Sequence, residues 1–169
     1  PEDVRLLTKM RAYEPRSLSG QPPVIWDKAI DCTVYDRFGN RWIDMSAGVV
    51  LANSGHCNPA VQRAIIEQAE HGLLHSYVFA NVPRGALAKR LTELAPEPLN
   101  KAFLLSTGAE ATECAIKLCR SYGRARGGEG KITVVTFEDG FHGKTMGAQM
   151  AGGLPGGKDW IVNVDKDIV

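Results

Sequence analysis

The chain has 169 residues, 44% of them hydrophobic and 23% charged, with a formal net charge of +1 at pH 7. That length supports a buried core, and so small a charge offers no basic field to a nucleic-acid partner. No window approaches the roughly 18 uninterrupted apolar residues of a membrane span, and the opening "PEDVRLLTKMRAYEP" is acidic where a signal peptide would be apolar.

Residues 1–22 are polar with scattered prolines and read as an arm or irregular lead-in. "VIWDKAIDCTVYDRFGNRWIDM", 24–45, carries aromatic and branched residues on either side of Phe38-Gly39-Asn40. Gly39 and Asn40 supply the positive φ of a tight turn, which predicts a hairpin. The small, glycine-bearing "SAGVVLANSGHCNP", 46–59, predicts a loop. Asn58 then caps a helix with Pro59 in its first turn. Val61, Ala64, Ile65 and Ala69 recur at helical spacing and Gly72 ends the run. A second helix covers 84–95, with Leu87, Ala88, Leu91, Leu94 and Ala95 on its apolar face and "APEP" as its stop.

A strand at 101–106, a turn at 107–109 and a helix at 110–124 follow, the helix burying Ala111, Cys114, Ala115, Leu118, Cys119 and Tyr122. "ITVVTF", 132–137, is a continuous apolar run, as expected of a strand covered on both faces. A short helix from Lys144 towards Ala151 and the loop "GGLPGG" come next. This order implies parallel pairing through a right-handed crossover, hence an α/β architecture. The sequence starts at Pro1 rather than methionine and stops in the apolar-rich "DWIVNVDKDIV", so it reads as a piece of a longer chain. Cys32, Cys57, Cys114 and Cys119 form no CxxC pair and no zinc spacing with the four histidines. They read as reduced, buried thiols of a cytoplasmic protein, with no metal site.

Chemistry concentrates at "LLSTGAEATECAIKL", 104–118. The helix N-terminus leaves backbone N–H groups without helical partners at the carboxyl end of a strand, where open α/β sheets place ligands. Thr107, Gly108 and Ala109 are small enough for an anion to touch the backbone, and the helix dipole favours a phosphate there. Glu110 and Glu113 share that first turn. Glu113 pairs best with Lys117 at i+4, which would turn it away from an anion. A plain strand-to-helix turn explains the same residues, and neither a Walker A loop nor a GxGxxG fingerprint is present.

"STGAEATECAIKLCR" with "FEDGFHGKTMGA" resembles the class III (ω-amino acid) aminotransferases, pyridoxal-phosphate enzymes of fold type I. "DMSAGVVLANSGHCNPAVQRAIIEQ" and "VYDRFGNRWIDM" resemble that family's upstream blocks, so the likeness runs from about Val24 to Gly152. It implies residues 1–75 as the N-terminal segment of the small domain, with arm, hairpin and helix. It implies 76–169 as the truncated beginning of the large parallel-sheet domain that binds the cofactor. It also implies a homodimer and, as substrates, a small-molecule amine and a keto acid.

By the same resemblance the cofactor phosphate falls on Gly108 and Ala109, with Thr107 beside them, and Phe141 stacks on the pyridine face. Without the family, Phe141 would be an ordinary core residue. His142 either lines the cofactor site or bonds to the local backbone, the structural reading being preferred. Val50 and Leu51 sit where related enzymes line the substrate pocket, and Tyr77 or Phe79 adds to it or belongs to the core. His56 and Cys57 shape the turn before the 59–71 helix. The Schiff-base lysine and the carboxylate against the pyridine nitrogen are expected beyond residue 169. Lys144 matches another family position, and Lys117 lies on the exposed helix face. The expected reaction is transamination by the parent chain. The alternatives are a mutase, racemase or decarboxylase on the same scaffold, a non-catalytic phosphate-ligand module, or a purely structural α/β subunit.

Overall fold

The computed structural model describes residues 2–18, 20, 22–154 and 156–169, with Asp3 described by its backbone alone. The chain divides into two compact units, Pro1–Val78 and Phe79–Val169.

The first unit opens with helix α1, Glu2–Arg11, where the prolines had suggested an irregular arm. No proline lies between Pro1 and Pro15, so a helical hydrogen-bond ladder is free to form there. Glu2 reaches Arg37 at 3.2 Å. A three-stranded antiparallel meander follows: β1, Lys28–Ile30, β2, Thr33–Tyr35, and β3, Arg41–Ile43. Asp31-Cys32 turns β1 into β2, with Asp31 at φ 54°. Val34 on the central strand pairs with Ala29 and Trp42 and is 1% exposed. Burying a valine to that degree contributes about 2 kcal/mol. The expected 36–40 turn is present, but Asn40 plays a different part. Gly39 alone takes a positive φ, 83°. The Asn40 backbone and side-chain N–H groups donate to Asp36 instead, at 2.9 and 2.8 Å. The Asn40 amide is the main reason that the Asp36 carboxyl titrates below the usual carboxylate range.

Where a loop was expected after β3, Ala47–Val50 forms one turn of left-handed backbone, with φ of 49, 61, 64 and 63°. Only glycine adopts this conformation freely; each other L-residue costs roughly 1–2 kcal/mol. Helix α2, Pro59–Glu70, begins as its sequence predicts. Asn58 Oδ1 accepts from Ala60 and Val61, at 2.9 and 3.4 Å, and Gly72 follows at φ 82°. Such a cap is worth about 1 kcal/mol.

The second unit holds α3, Val82–Leu94, α4, Gly108–Gly127, and α5, Met146–Ala151. Helix α3 starts two residues earlier than expected because Asn81, capping the Arg84 N–H at 2.8 Å, precedes Pro83. The expected parallel sheet is not formed: among the described residues the regular sheet is the antiparallel meander. Residues 101–105 carry no ladder. In 132–137 the parallel pairing is a single bridge, Val134 with Ile168, flanked by Val134 N–H to Asp167 O at 2.8 Å and Val169 N–H to Val134 O at 2.9 Å. A strand exists through its neighbours, and among the described residues 134–136 pair by backbone hydrogen bonds with the 167–169 stretch.

The same lack of neighbours leaves the α4 face open. Gly123 is its buried residue; Cys114 is half-buried, and Ala111, Ala115, Leu118, Cys119 and Tyr122 are exposed. All four cysteines are free, but Cys32, Cys57 and Cys119 are exposed rather than buried. The α3 leucines Leu87, Leu91 and Leu94 are exposed as well. The buried apolar residues of this unit are Ala148, Ala151, Ile161 and Ile168. No helix among the described residues is long and apolar enough to cross a membrane.

Candidate functional site

The N-terminus of α4 is closed by a capping box. Thr107 Oγ1 accepts from the Glu110 N–H at 3.2 Å, while Glu110 Oε2 accepts from the Thr107 and Ser106 N–H groups at 3.1 and 3.0 Å. The four first donors of a helix need outside partners. The box satisfies Thr107 and Glu110 and leaves the N–H groups of Gly108 and Ala109 between them. Those two donors are where the resemblance puts the phosphate. A Cβ on Gly108 would meet nothing within 4 Å, so no side chain stands over that residue. Glu110 brings a negative charge to the same turn and folds back over its own N-cap.

Glu113 does not pair with Lys117. Its Oε1 accepts from Thr145 Oγ1 at 2.6 Å, Gly147 N–H at 2.8 Å and Ala148 N–H at 3.2 Å. The Thr145 hydroxyl, ahead of the two amides, holds this carboxyl below the usual carboxylate range. Thr145 occupies the N-cap of α5 but makes no cap bond of its own. The carboxylate of one helix therefore caps another, and the i,i+4 preference gives way to three donors that lie more than thirty residues away in sequence.

Two further contacts tie the turn at 107–109 to the 140–145 loop. Thr112 Oγ1 lies 3.0 Å from His142 O and 3.1 Å from Gly108 O, sharing its single hydrogen between them. Gly143, at φ 121°, packs so closely that a Cβ there would fall 2.6 Å from Ala109 Cβ. Phe141 and His142 are thereby held beside the first turn of α4. Together with Lys144, Gln149 and Lys158 they line a cavity of about 360 Å³. Phe141 is 64% exposed, so its ring is available to a ligand rather than committed to a core. His142 is anchored through its carbonyl.

Val50 ends the left-handed turn of the other unit and Leu51 follows it, with Val50 86% exposed. Tyr77 lies one residue before the end of that unit at Val78, and Phe79 begins the second; both are exposed. His56 Nε2 bonds to Asp44 Oδ2 at 2.8 Å, and Cys57, at φ 52°, leads into the Asn58 cap. Asp44 itself was not singled out in the sequence, although an Asp two residues before a serine and four before a glycine is the pattern of a side chain that binds its own turn. The roles of Thr112 and Glu113 left no trace in the sequence, since Thr145 in "GKTMGA" offers a capping hydroxyl of its own.

The class-III aminotransferase family model matches residues 16–155. The acetylornithine aminotransferase of Methanopyrus kandleri is 43% identical over 118 residues, covering 70% of this chain and 29% of that protein. Acetylornithine aminotransferase 2 of Bordetella bronchiseptica is 34% identical over 139 residues, covering 82% of this chain and 34% of that protein. Among solved structures, a thermostable (S)-enantioselective omega-transaminase from Thermomicrobium roseum superposes with a TM-score of 0.86 at 29% identity, over 98% of this chain and 39% of that one. The chain belongs to the class-III aminotransferase family. It spans about a third of the length of these relatives.

Proposed function

We propose that these residues form the cofactor-phosphate end of a pyridoxal-phosphate aminotransferase. The parent protein would move an amino group between an amine or ω-amino acid and a keto acid. The observation that carries the reading is the pair of N–H groups at Gly108 and Ala109, left free by the capping box and braced against the Phe141 loop. They fit a dianionic ester: two adjacent donors, a helix dipole behind them and no side chain over Gly108.

The cofactor, when bound, supplies the electron sink for the carbanion. The chain supplies placement. Gly108 and Ala109 would hold the phosphate through their N–H groups, with Thr107 beside them. Phe141 would offer its exposed ring to the pyridine face and orient it without bonding to the reacting atoms. Thr112 and Glu113 keep that ring in register with the phosphate turn. Val50 and Leu51 are our candidates for the substrate wall and Phe79 a separate one, and a branched aliphatic at 50 would leave room for the substrate. The lysine that binds the cofactor aldehyde and the carboxylate for the pyridine nitrogen lie, on this reading, beyond Val169. The names of the relatives favour an N-acylated diamino acid as donor, with simple chiral amines next. The working form is a cytoplasmic homodimer.

The test is to purify the full-length protein, record its visible absorption and add a panel of amines without a keto acid. A cofactor band that each accepted amine discharges, and a keto acid restores, supports transamination. A band that amines discharge while releasing carbon dioxide, or with racemised amine as the sole product, replaces the reading with a same-scaffold alternative. Phosphate-ester binding without any visible band leaves a non-catalytic module.

A further inference from the structure

The left-handed turn at Ala47–Val50 is the most strained backbone in the first unit, and its strain is not offset by burial. Val49, Val50 and Leu51 are all exposed. Branched residues adopt this conformation least readily, so something else holds it. One carboxylate does most of that. Asp44 Oδ1 accepts from Ser46 N–H at 3.0 Å and Ser46 Oγ at 2.7 Å; Asp44 Oδ2 accepts from Gly48 N–H at 2.6 Å and meets His56 Nε2 at 2.8 Å. Ser46 passes the grip onward, its Oγ accepting from Val49 N–H at 3.4 Å and its carbonyl from Val50 N–H at 2.7 Å.

His56 is fixed in turn. Its backbone N–H and C=O pair with Asp31 at 2.8 Å each, and its ring stands edge-on to Trp26 at 5.7 Å. The connection therefore runs from the β1–β2 turn through His56 and Asp44 to the turn that displays Val50. Strain maintained by a dedicated hydrogen-bond network, at a place with no core to pack, is the signature of a side chain that has to be aimed.

We propose that Asp44 and His56 are positioning residues that hold the Ala47–Val50 turn in its left-handed form and thereby set which amines the protein accepts. The inference rests on the aminotransferase reading, in which Val50 lines the substrate wall. Neither residue touches the reacting atoms. Both act through the direction in which Val49, Val50 and Leu51 project.

The experiment uses the full-length protein and two independent readouts. The first is amide hydrogen exchange at Leu51 and Ala52, whose N–H groups bond to Ala47 O at 2.9 and 2.8 Å. Val49→Gly, which removes the left-handed penalty, raises their protection about fivefold; Asp44→Asn lowers it about tenfold, and adding Val49→Gly to Asp44→Asn recovers part of that loss. Loss of protection in Val49→Gly overturns the proposal, because the turn would then not be strained. The second is the ratio of kcat/KM for a bulky amine to that for a small one. His56→Ala shifts the ratio at least fivefold, mainly through KM, and His56→Gln, which keeps a donor for Asp44, restores most of it. An unchanged ratio with altered exchange also overturns the proposal, while wild-type turnover keeps the aminotransferase reading intact. If wild type discharges no amine at all, that reading fails first and the specificity role falls with it, whatever the exchange data show. Should Asp44→Asn not fold, Val49→Gly and the two His56 variants carry the same comparisons.

Discussion

Gly143→Ala tests the brace between the phosphate turn and the stacking ring most directly. The added Cβ would sit 2.6 Å from Ala109 Cβ, 2.8 Å from Ala109 Cα and 3.2 Å from Ala148 Cβ. Carbon atoms in contact rest at about 3.5–4.0 Å, so α4 and the 140–145 loop must separate by about 1 Å. Overpacking of this kind costs about 1–3 kcal/mol. The backbone at φ 121° suits only glycine and adds about 1–3 kcal/mol for any other residue, for a total of about 2–6 kcal/mol. The displaced residue, Ala109, carries one of the two free N–H groups, and Phe141 is two residues from the clash. Cofactor affinity should therefore fall at least about tenfold, since a displacement of about 1 Å undoes convergent placement. The assays are urea denaturation of the apo-protein and titration of the full-length protein with pyridoxal phosphate, followed by induced circular dichroism. Unchanged affinity together with a stability change below about 0.5 kcal/mol would refute both the close packing at Ala109 and the coupling built on it.

Other substitutions separate the parts of this arrangement. Glu113→Gln removes a charged acceptor from three donors and should cost about 1–2 kcal/mol at pH 7. Because folding lowers the Glu113 pKa, its stabilisation is full above the unfolded value of about 4.3 and disappears as pH falls through the folded value. The gap between wild-type and variant melting curves should therefore narrow as pH falls below about 4.3, and a gap that widens there contradicts the sign. Glu110→Gln keeps a capping box but removes a negative charge from the phosphate turn. Affinity for inorganic phosphate should rise about two- to fivefold, measured by calorimetry, and an unchanged affinity would mean that Glu110 does not face the anion. Gly85→Ala lies within α3 with nothing within 4 Å of its new methyl and should stabilise by about 0.5–1 kcal/mol, a control in which glycine replacement is benign.

What local chemistry dictates was legible in the residues themselves. Asn58-Pro59 announced a helix start, Gly39 a turn, and "STGAE" a helix N-terminus whose small residues leave N–H groups exposed. Each of these depends on atoms within four residues along the chain, so composition and order suffice to read it. Three matters were decided only in three dimensions, and a fourth, at Asn40, was local but followed side-chain bonding rather than turn propensity. Glu113 found its donors on the 145–148 segment rather than at Lys117. The "SAGVV" loop was wound left-handed by Asp44 and His56. Asn40 became a donor to Asp36 instead of a second positive-φ residue. The apolar runs at 101–105 and 132–137 did not become a sheet within the chain. In most of these cases the deciding partner is distant in sequence, or is a neighbouring strand that periodicity presumes but cannot provide. Hydrophobic pattern specifies which face seeks cover, whereas hydrogen-bond geometry and the strands at hand determine what covers it.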